Sequence, residues 1–469
     1  MKTFSINTLG CKVNQYESQQ IRELLESFGL HKSRYSDKSD LIIINTCCVT
    51  HTATAKSRQQ IRKIQKKSPE SILVVCGCLP TLNFNIFSIN GQKIHFITNR
   101  NDLATTLSQI ASKPHAILRK QEWGFPGPQN TLSSPNSTIK PENSSKIKDK
   151  NQSNEHLILP NLSSFEGQTR AFLKVQDGCD GYCTYCIVPK TRPIVHSKPF
   201  QDVIKEAKAL VQAGHKEIVI TGIFLGAYGQ KTVRRAKWSD KNNNYLSNLL
   251  ERIAEIPELP RIRLSSLEPS DVNDRLLDVF ASHSNIMPHL HLSLQSGSDA
   301  ILKRMCRQYN SEQFREKIDL IKSRLDRPAL TTDIIVGFPG ETDEDFEDTV
   351  NLAKEVGFSK MHVFRFSLLK GTAAAKMDNR MKTEKVKGRS KILIDLDKEL
   401  RFQYQNQFLG QSAKVLIENS NGTVQGRAER YFMVNIKNSK NSLKKNDLVK
   451  VKLVKNYDTA MTGRIISSC

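Results

Sequence analysis

Three cysteines spaced C-x3-C-x2-C are the feature that most constrains this chain. They are Cys179, Cys183 and Cys186, and they directly follow the strand-like run 171–175. A short loop with a flexible Gly181 can bring three thiolates to one point. Thiolates are the ligands of iron–sulfur clusters, and a cubane cluster with three protein ligands leaves one iron open to another molecule. The spacing therefore predicts a cluster site with one exchangeable position.

Zinc and a disulfide are the ordinary alternatives for such a loop. Structural zinc sites have four protein ligands, usually in two pairs, and no fourth Cys or His lies near this loop in the sequence. Disulfides are rare in proteins that stay in a reducing compartment. The N-terminal sequence contains no secretory signal. The cluster interpretation is favoured over both.

Length and charge bound the remaining possibilities. A chain of 469 residues should fold into two or three domains. Its formal net charge of +23 favours a polyanionic partner, because basic groups that neutralise phosphates release counterions. A solvated basic surface that keeps the protein soluble is the alternative. No run reaches the roughly 20 apolar residues that span a bilayer, so we predict a cytoplasmic protein with no membrane partner.

The N-terminal part, 1–118, predicts an open α/β sheet with a second set of three cysteines. Short apolar runs alternate with helical patterns at 3–8, 41–45 and 72–75. A cysteine follows each run: Cys11, Cys47 and Cys78. In such sheets the carboxyl ends of the strands share one edge, where ligands bind. The alternative is that these are small buried residues. That alternative suits Cys76 better, while Cys48 could replace Cys47 as a ligand.

The central part, 165–385, predicts a partial (βα)6 barrel. Six strand-like runs alternate with helical patterns, at 171–175, 217–221, 261–265, 289–294, 329–336 and 361–366. Polar or glycine-rich turns follow these runs, which is where barrels of this type bind ligands. Each turn alone is a common βα connection. His291 and His362 are interpreted as barrel-core histidines or site residues.

Two further segments complete the chain. Residues 119–164 are rich in Ser, Asn, Pro and Lys, so they predict a flexible insert. After a helical connector at 386–407, several short strands in 408–469 predict a small antiparallel β-barrel. From residue 411 onward there are eleven basic and four acidic residues. This excess favours RNA binding by the C-terminal module, and an inert basic cap is the alternative.

The strings Thr8-Leu-Gly-Cys-Lys-Val-Asn-Gln-Tyr-Glu-Ser18, Asn45-Thr-Cys47 and Gly77-Cys78 resemble the methylthiotransferases, which are radical S-adenosylmethionine (SAM) enzymes with two clusters. The form Gly-Cys-Lys-Val-Asn-x-Tyr-Glu resembles the subgroup that modifies N6-threonylcarbamoyladenosine in tRNA. The subgroup for isopentenyladenosine usually reads Gly-Cys-Gln-Met-Asn. Cys48 stands where the family usually has Thr or Ala. The C-terminal module resembles the TRAM domain, a small RNA-binding barrel.

The resemblance implies two 4Fe-4S clusters and SAM as cofactors. Cys179, Cys183 and Cys186 would hold the cluster that cleaves SAM to a carbon radical, and Cys11, Cys47 and Cys78 the cluster that carries sulfur. The implied SAM contacts are Tyr185 and Glu341 near the adenine, Gly222 near the methionyl amine, and Gln295 and Ser296 near the ribose. The implied partners are tRNA, a reductant such as a flavodoxin or ferredoxin, and a sulfur donor.

The implied reaction adds a methylthio group to C2 of N6-threonylcarbamoyladenosine next to the anticodon. One alternative is a sibling activity on isopentenyladenosine or on a ribosomal protein. A peptide substrate would reduce the need for the basic C-terminal module. The other alternative is a non-catalytic RNA-binding or iron–sulfur scaffold protein. Such a scaffold would not need the open-coordination cysteine loop together with the SAM-contact turns.

Overall fold

The computed structural model describes residues 1–33, 38–82, 94–111, 158–235, 243–420, 422–437, 443–457 and 459–468. Most of the predicted insert over 119–164 lies outside the described residues. Its last residues, 158–164, pack against the N-terminal domain. Leu162 is buried in the same core cluster as Tyr16, and Gln20 Nε2 donates to the Pro160 carbonyl at 2.7 Å. The packed part of the chain therefore reaches into the end of the predicted insert.

The first unit is a five-stranded parallel sheet with helices on both faces. Its elements are β1 (Thr3–Thr8), α1 (Lys12–Ser27), β2 (His31–Lys32), β3 (Leu41–Thr46), α2 (His51–Lys67), β4 (Ile72–Gly77), β5 (Ile94–Phe96) and α3 (Leu103–Ala111). The strand order is β2-β1-β3-β4-β5, with parallel pairings throughout. β3 is buried along its whole length and begins with four apolar residues. This is typical of a parallel strand that is covered on both faces.

The second unit is a parallel half-barrel. Its elements are β6 (Ala171–Lys174), β7 (Gln176–Asp177), α4 (Val188–Thr191), β8 (His196–Ser197), α5 (Phe200–Gln212), β9 (Glu217–Thr221), α6 (Tyr245–Ala254), β10 (Arg261–Leu264), β11 (Ser266–Leu267), α7 (Asp274–Ser282), β12 (His289–Leu292), α8 (Asp299–Arg304), α9 (Ser311–Arg324), β13 (Ala329–Val336), α10 (Asp343–Val356), β14 (Lys360–Arg365) and α11 (Thr383–Asn406). The six predicted strands are all present, the third one as β10 followed by β11.

The half-barrel consists of two arcs, β10-β9-β6 and β11-β12-β13-β14. They meet where Ile262 of β10 forms a parallel bridge with Ile286, just before β12. Helix α1 of the first unit packs against β6, and Tyr16 on α1 belongs to the buried core of the half-barrel. The first turn of α1, which follows Cys11, is thereby placed at the side of the half-barrel.

The third unit is a small closed β-barrel. Its strands are β15 (Ser412–Asn419), β16 (Gln425–Ala428), β17 (Met433–Lys437), β18 (Leu448–Asn456) and β19 (Met461–Ser468). The closed order is β15-β16-β17-β19-β18. The predicted barrel is confirmed, with one difference: β17 and β19 pair in parallel. The sequence did not predict β16, because Gln-Gly-Arg-Ala has neither apolar alternation nor β-branched residues.

Buried arginines attach this small barrel to the half-barrel. Arg261 and Arg263 of β10 donate to the Ala428 carbonyl at 3.0 and 2.7 Å. Both are paired with Glu217 at 2.8 Å. Charge-assisted hydrogen bonds to buried carbonyls and a carboxylate are geometrically specific. The small barrel is therefore held in a defined position on the half-barrel. In the described part of the chain, no helix is both long enough and apolar enough to cross a membrane.

Candidate active site

The first cysteine site is a loop bounded by the antiparallel pair of β7 and β8. Gly178 has a φ of +80°, and a Cβ there would lie 1.7 Å from the Ile194 carbonyl oxygen. The Cys179 N–H donates to the Arg192 carbonyl at 2.9 Å. Glycine is required at this position because it alone accepts both the left-handed backbone and the close approach. The loop is thereby folded back on itself, which groups its cysteines.

Polar hydrogens point at the sulfur atoms of this loop. The Gly181 and Val188 N–H groups each lie 3.4 Å from a sulfur, those of Cys179 and Cys186 respectively. Arg307 Nη1 lies 3.1 Å from Cys183 Sγ and 3.2 Å from Tyr185 Oη. Its guanidinium also pairs with Glu268. The loop therefore provides both N–H donors and a cation at its thiols.

Burial makes two of these thiols, those of Cys179 and Cys186, reluctant to ionise on their own. It raises the pKa of Cys179 to about 11 and that of Cys186 to about 12. Cysteines lose their thiol protons when they bind a metal. Iron–sulfur clusters are coordinated by thiolates, whose sulfurs accept N–H hydrogen bonds. The described donor set of three grouped cysteines fits an iron–sulfur cluster.

Three of the predicted SAM contacts lie in the cysteine loop or in turns that follow strands of the half-barrel. Tyr185 packs with Phe338 in the turn after β13. Gly222 follows β9, and a Cβ there would lie 2.9 Å from Gln176 Oε1, which accepts the Phe224 N–H at 2.7 Å. Gln295 has a left-handed φ of +67°, a conformation that costs energy in a residue with a side chain. The half-barrel brings these turns to the edge that carries the cysteine loop.

The side chains of the other two predicted contacts form hydrogen bonds with protein groups. Ser296 is buried, and its hydroxyl lies 3.3 Å from that of Thr349 on α10. Glu341 Oε2 accepts from the Gly337 N–H at 2.9 Å and from Arg389 Nη1 at 2.5 Å. These bonds brace the turns from behind, so the two side chains are engaged by the protein itself.

The second cysteine site lies at the carboxyl edge of the N-terminal sheet. Cys11 caps α1, Cys47 follows β3 and Cys78 follows β4. Gly10 has a φ of +103°, and a Cβ there would lie 2.6 Å from the Cys47 Cβ. The close approach allowed by Gly10 places Cys11 beside Cys47. Arg100 Nη2 donates to Cys78 Sγ at 3.2 Å, so this site also has one guanidinium at a sulfur.

The other two cysteines of this domain differ in their surroundings. Cys48 Sγ lies 3.3 Å from the Cys78 carbonyl oxygen and packs in the core beneath α2. Cys76 lies within β4 and packs in the core on the opposite face of the sheet, where burial raises its pKa to about 12. Cys47 and Cys78 follow their strands at the edge near Cys11, whereas Cys76 faces away from it.

A buried ionic cluster joins the two cysteine sites. Glu17 on α1 pairs with Arg192 at 2.7 Å and with Lys174 at 3.2 Å. Arg192 also pairs with Asp177, which opens the cysteine loop, at 2.7 Å, and its Nη2 lies 3.2 Å from Asn14 Oδ1. Burial opposes ionisation of Glu17, but Arg192 and Lys174 outweigh it and lower its pKa to about 2. These groups hold the two sites in fixed relative positions.

No local sequence pattern indicated these supporting residues. Asn14 and Glu17 belong to the string Asn-Gln-Tyr-Glu, on which the family resemblance rests. The resemblance indicated that this string is important but did not indicate the role of either residue. Arg100, Arg192 and Arg307 are distant from their partners in sequence, so local patterns gave no indication of them. Arg307 and Arg100 reach their sulfurs through the folding of their own units, and the position of Arg192 against Glu17 depends on how the two units dock.

All three units contribute to a cavity of about 280 Å³ in the half-barrel. It is lined by Lys12, Arg170, Val219, Arg263, Leu264, Ser265, Ser266, His289, His291, Thr331, Asp333, His362, Phe364 and Tyr431. His291 Nε2 lies 3.3 Å from Asp333 Oδ2, and the rings of His291 and His362 are 5.9 Å apart. These two histidines therefore line a cavity rather than fill the barrel core.

Comparisons with known proteins agree with this architecture. Residues 173–353 match the family model described as the Radical SAM superfamily, and residues 3–97 match the one described as Uncharacterized protein family UPF0004. The solved structure of the radical S-adenosylmethionine methyltransferase TsrM from Kitasatospora setae has a TM-score of 0.50 and 14% identity, covering 78% of this chain and 72% of that one. The half-barrel with its cysteine loop thus has the radical SAM fold.

Relatives that match along nearly the whole chain narrow this class. The threonylcarbamoyladenosine tRNA methylthiotransferase MtaB of Bacillus subtilis (strain 168) is 36% identical, over 97% of this chain and 94% of the relative. The protein of the same name from Chlamydia pneumoniae is 33% identical, over 99% and 98%. A tRNA-2-methylthio-N(6)-dimethylallyladenosine synthase from Bacillus velezensis is 31% identical, over 99% and 87%. The chain belongs to the tRNA methylthiotransferase family of radical SAM enzymes.

Proposed function

We propose that this protein adds a methylthio group to C2 of N6-threonylcarbamoyladenosine in tRNA, next to the anticodon. The observation that carries the proposal is the pair of three-cysteine sites joined by one buried ionic cluster. Methylthiolation needs radical generation and sulfur delivery at the same carbon, so the two sites must keep a fixed separation. The choice of threonylcarbamoyladenosine is supported by the relatives of that name, at 36% and 33% identity.

The six cysteines would hold the cofactors. Cys179, Cys183 and Cys186 would hold a 4Fe-4S cluster that binds SAM, and Cys11, Cys47 and Cys78 would hold a second 4Fe-4S cluster. When bound, these groups supply a carbon radical that removes hydrogen from C2 and the sulfur and methyl group that replace it.

The protein's own residues position these groups. Arg307 holds Cys183 and Tyr185 together through hydrogen bonds. The proposed SAM contacts are Tyr185, Gly222, Gln295, Ser296 and Glu341. Ser296 and Glu341 support the same turns from behind through the bonds described above. A rigid site of this kind restrains a reactive radical from side reactions.

We further propose that the domains divide at 1–118, 165–385 and 408–469, and that the C-terminal barrel binds tRNA phosphates. Lys450, Lys452 and Lys455 are exposed on β18 of this barrel. A flavodoxin or ferredoxin would supply electrons, and a separate donor would restore the sulfur. The protein would act in the cytoplasm, where tRNA and these partners are found.

Mass spectrometry of tRNA nucleosides tests the activity. The protein is expressed in a host that makes both threonylcarbamoyladenosine and isopentenyladenosine but methylthiolates neither. We expect the methylthio derivative of threonylcarbamoyladenosine alone. A Cys179/Cys183/Cys186→Ala variant should yield none, whereas Cys306→Ser, at an exposed cysteine, should retain activity. Methylthiolation of isopentenyladenosine instead would overturn the substrate, and no methylthiolation would overturn the reaction.

The tRNA-binding role has its own test. Lys450/Lys452/Lys455→Gln should weaken tRNA binding and flatten the dependence of affinity on salt, because fewer counterions are released. The matched control is Lys63/Lys66/Lys67→Gln, which removes the same charge from exposed positions on α2. Equal salt slopes for the two variants would remove the binding role from the C-terminal barrel.

A further inference from the structure

The cavity in the half-barrel contains three cationic side chains, and two of them are already paired. Arg170 pairs with Glu418 at 2.9 Å. Arg263 pairs with Glu217 at 2.8 Å and donates to carbonyls of the C-terminal barrel. Both arginines therefore attach the barrels to each other. Each guanidinium therefore has a carboxylate partner within the protein, although Glu217 is shared with Arg261 and Glu418 with Arg427.

Lys12 is the third cation and differs from these two. It follows Cys11 directly and is half-buried at the first position of α1. It lines the cavity and makes no side-chain hydrogen bond or ion pair with any residue that the structure describes. A cationic side chain at a cavity without a protein acceptor can form a charge-assisted hydrogen bond with a bound anion. Lys12 is therefore a cation available to an anionic ligand.

The rest of the cavity lining offers neutral and acidic groups, and Lys12 lies close enough to lower the pKa of Asp333, against the larger effect of burial. Asp333 keeps 30% of its side chain exposed beside His291, so its carboxylate can accept further hydrogen bonds. His289 is only 5% exposed, stacks on Tyr431 with ring centroids 4.0 Å apart, and has no partner for Nδ1 among the described residues. The cavity thus combines one free cation with a carboxylate and an unpaired ring nitrogen.

An aromatic side chain stands at the rim of the same cavity. Phe364 of β14 lines the cavity and is 43% exposed, so its ring is accessible to a ligand in the cavity. Enzymes that modify a base take it out of its stack and pack it against aromatic faces. Phe364 supplies such a face next to the polar groups.

We propose that this cavity binds the threonylcarbamoyl group of the substrate, with Lys12 pairing with its threonine carboxylate. Asp333 accepts from the ureido N–H or the threonine hydroxyl, and Phe364 packs against the adenine. This assignment rests on the proposed function and deepens it: Lys12 distinguishes the acidic modification from a neutral one. Because Lys12 adjoins Cys11, binding of the carboxylate places the modified base beside the second cysteine site.

Binding of matched RNAs tests the role of Lys12. The full-length protein with reconstituted clusters is titrated with an anticodon stem–loop that carries threonylcarbamoyladenosine, and with the same RNA whose threonine carboxylate is a neutral methylamide. The wild type should bind the carboxylate form about tenfold more tightly, the effect of one charge-assisted hydrogen bond. Lys12→Gln should abolish this preference, and Lys12→Arg should retain it. Lys63→Gln is the control of equal charge and should retain it too.

Several outcomes would overturn the assignment. The wild type could bind both RNAs equally, or Lys12→Gln could keep the preference. Iron content is measured for each variant, and if Lys12→Gln lacks a cluster the comparison is made with Asp333→Asn. That variant should weaken binding of both RNAs alike, and an unchanged affinity would overturn the role of the cavity. If the wild type methylthiolates threonylcarbamoyladenosine but Lys12→Gln still prefers the carboxylate RNA over the methylamide RNA, this inference is wrong. The proposed function would remain intact.

A metal site is the competing assignment for the same residues. His291, Asp333 and His362 offer ligand atoms that lie within 4.8 Å of one another. Both the wild type and His362→Gln are treated with a chelator and then with Zn²⁺, and the zinc bound per chain is measured. The wild type should bind no more zinc than His362→Gln. Stoichiometric zinc that is lost in this variant would assign the cavity to a metal and overturn substrate binding there.

Discussion

The two cysteine sites resemble each other chemically and differ in how the chain builds them. Cys179, Cys183 and Cys186 lie in one loop after one strand, whereas the other set spans positions 11 to 78 on three strands. Each site nevertheless has a guanidinium at one sulfur, from Arg307 or from Arg100. A local motif and a tertiary assembly can therefore produce similar ligand environments.

The two sites are also coupled through charge. Glu17 belongs to the N-terminal sheet domain, and its partners Arg192 and Lys174 belong to the half-barrel. A buried ion pair of this kind contributes little to net stability but strongly disfavours its own disruption. The separation of the two sites is therefore set by an interface rather than by either domain alone.

The largest expected effect comes from deleting the loop site. Cys179/Cys183/Cys186→Ala should lose all methylthiolation, while about half of the iron remains because each site holds its own cluster. Iron and sulfide analysis of anaerobically purified protein checks this, with Cys306→Ser as the control that keeps both. Loss of all the iron would show that the two sites do not assemble independently.

The next effect separates two adjacent cysteines of the tertiary site. Cys47→Ser should lose the N-terminal cluster, whereas Cys48→Ser should keep it, because Cys47 lies beside Gly10 and Cys48 packs beneath α2. Iron content and the electron paramagnetic resonance spectrum distinguish the variants. The opposite pattern would assign the ligand to Cys48.

A smaller effect tests the interface between the sites. Glu17→Gln leaves Arg192 and Lys174 short of one counter-charge, so we expect a loss of roughly 3 kcal/mol in the free energy of unfolding. Urea denaturation measures it. The control is Glu255→Gln, whose exposed pair with Arg252 should matter by less than about 1 kcal/mol. Equal changes for the two variants would contradict a buried coupling.

The same variant has a defined pH dependence. Because the folded pKa of Glu17 is lowered from 4.5 to about 2, its ionised form stabilises the fold above pH 4.5. This contribution is lost as the pH falls toward the folded pKa. In metal-free protein, the difference between wild type and Glu17→Gln should therefore shrink from pH 5 to pH 3. A difference that stays constant over this range would place the effect elsewhere.

The smallest effect compares the two guanidinium groups. Arg307→Gln should lower the reduction potential of the loop cluster, and Arg100→Gln that of the N-terminal cluster, since a cationic donor at sulfur favours the reduced form. We expect shifts of roughly 60 mV, equivalent to a tenfold change for one electron. A redox titration followed by electron paramagnetic resonance measures both. If either variant changed the reduction potential of the other cluster instead, this assignment of arginines to clusters would be wrong.

Local sequence patterns were enough to predict the features whose residues are close together in the chain. The spacing of Cys179, Cys183 and Cys186 indicated a cluster loop, the alternating runs predicted the six strands of the half-barrel, and the short basic strands predicted the small barrel. Backbone geometry and hydrophobic periodicity act over a few residues, so local patterns are enough to recognise them. The string around Cys11 identified the family by resemblance.

Contacts between residues that are distant in sequence appear only in the folded protein, both within the units and between them. The tertiary structure brought Cys11 beside Cys47 through Gly10, placed Arg192 between the two sites, and engaged Ser296 and Glu341 in supporting bonds. It also put Lys12 in a cavity built from all three units. Such contacts join residues that are tens to hundreds of positions apart, and their energies depend on burial and partner geometry. Those quantities exist only once the units are packed together, which is why no local pattern specified them.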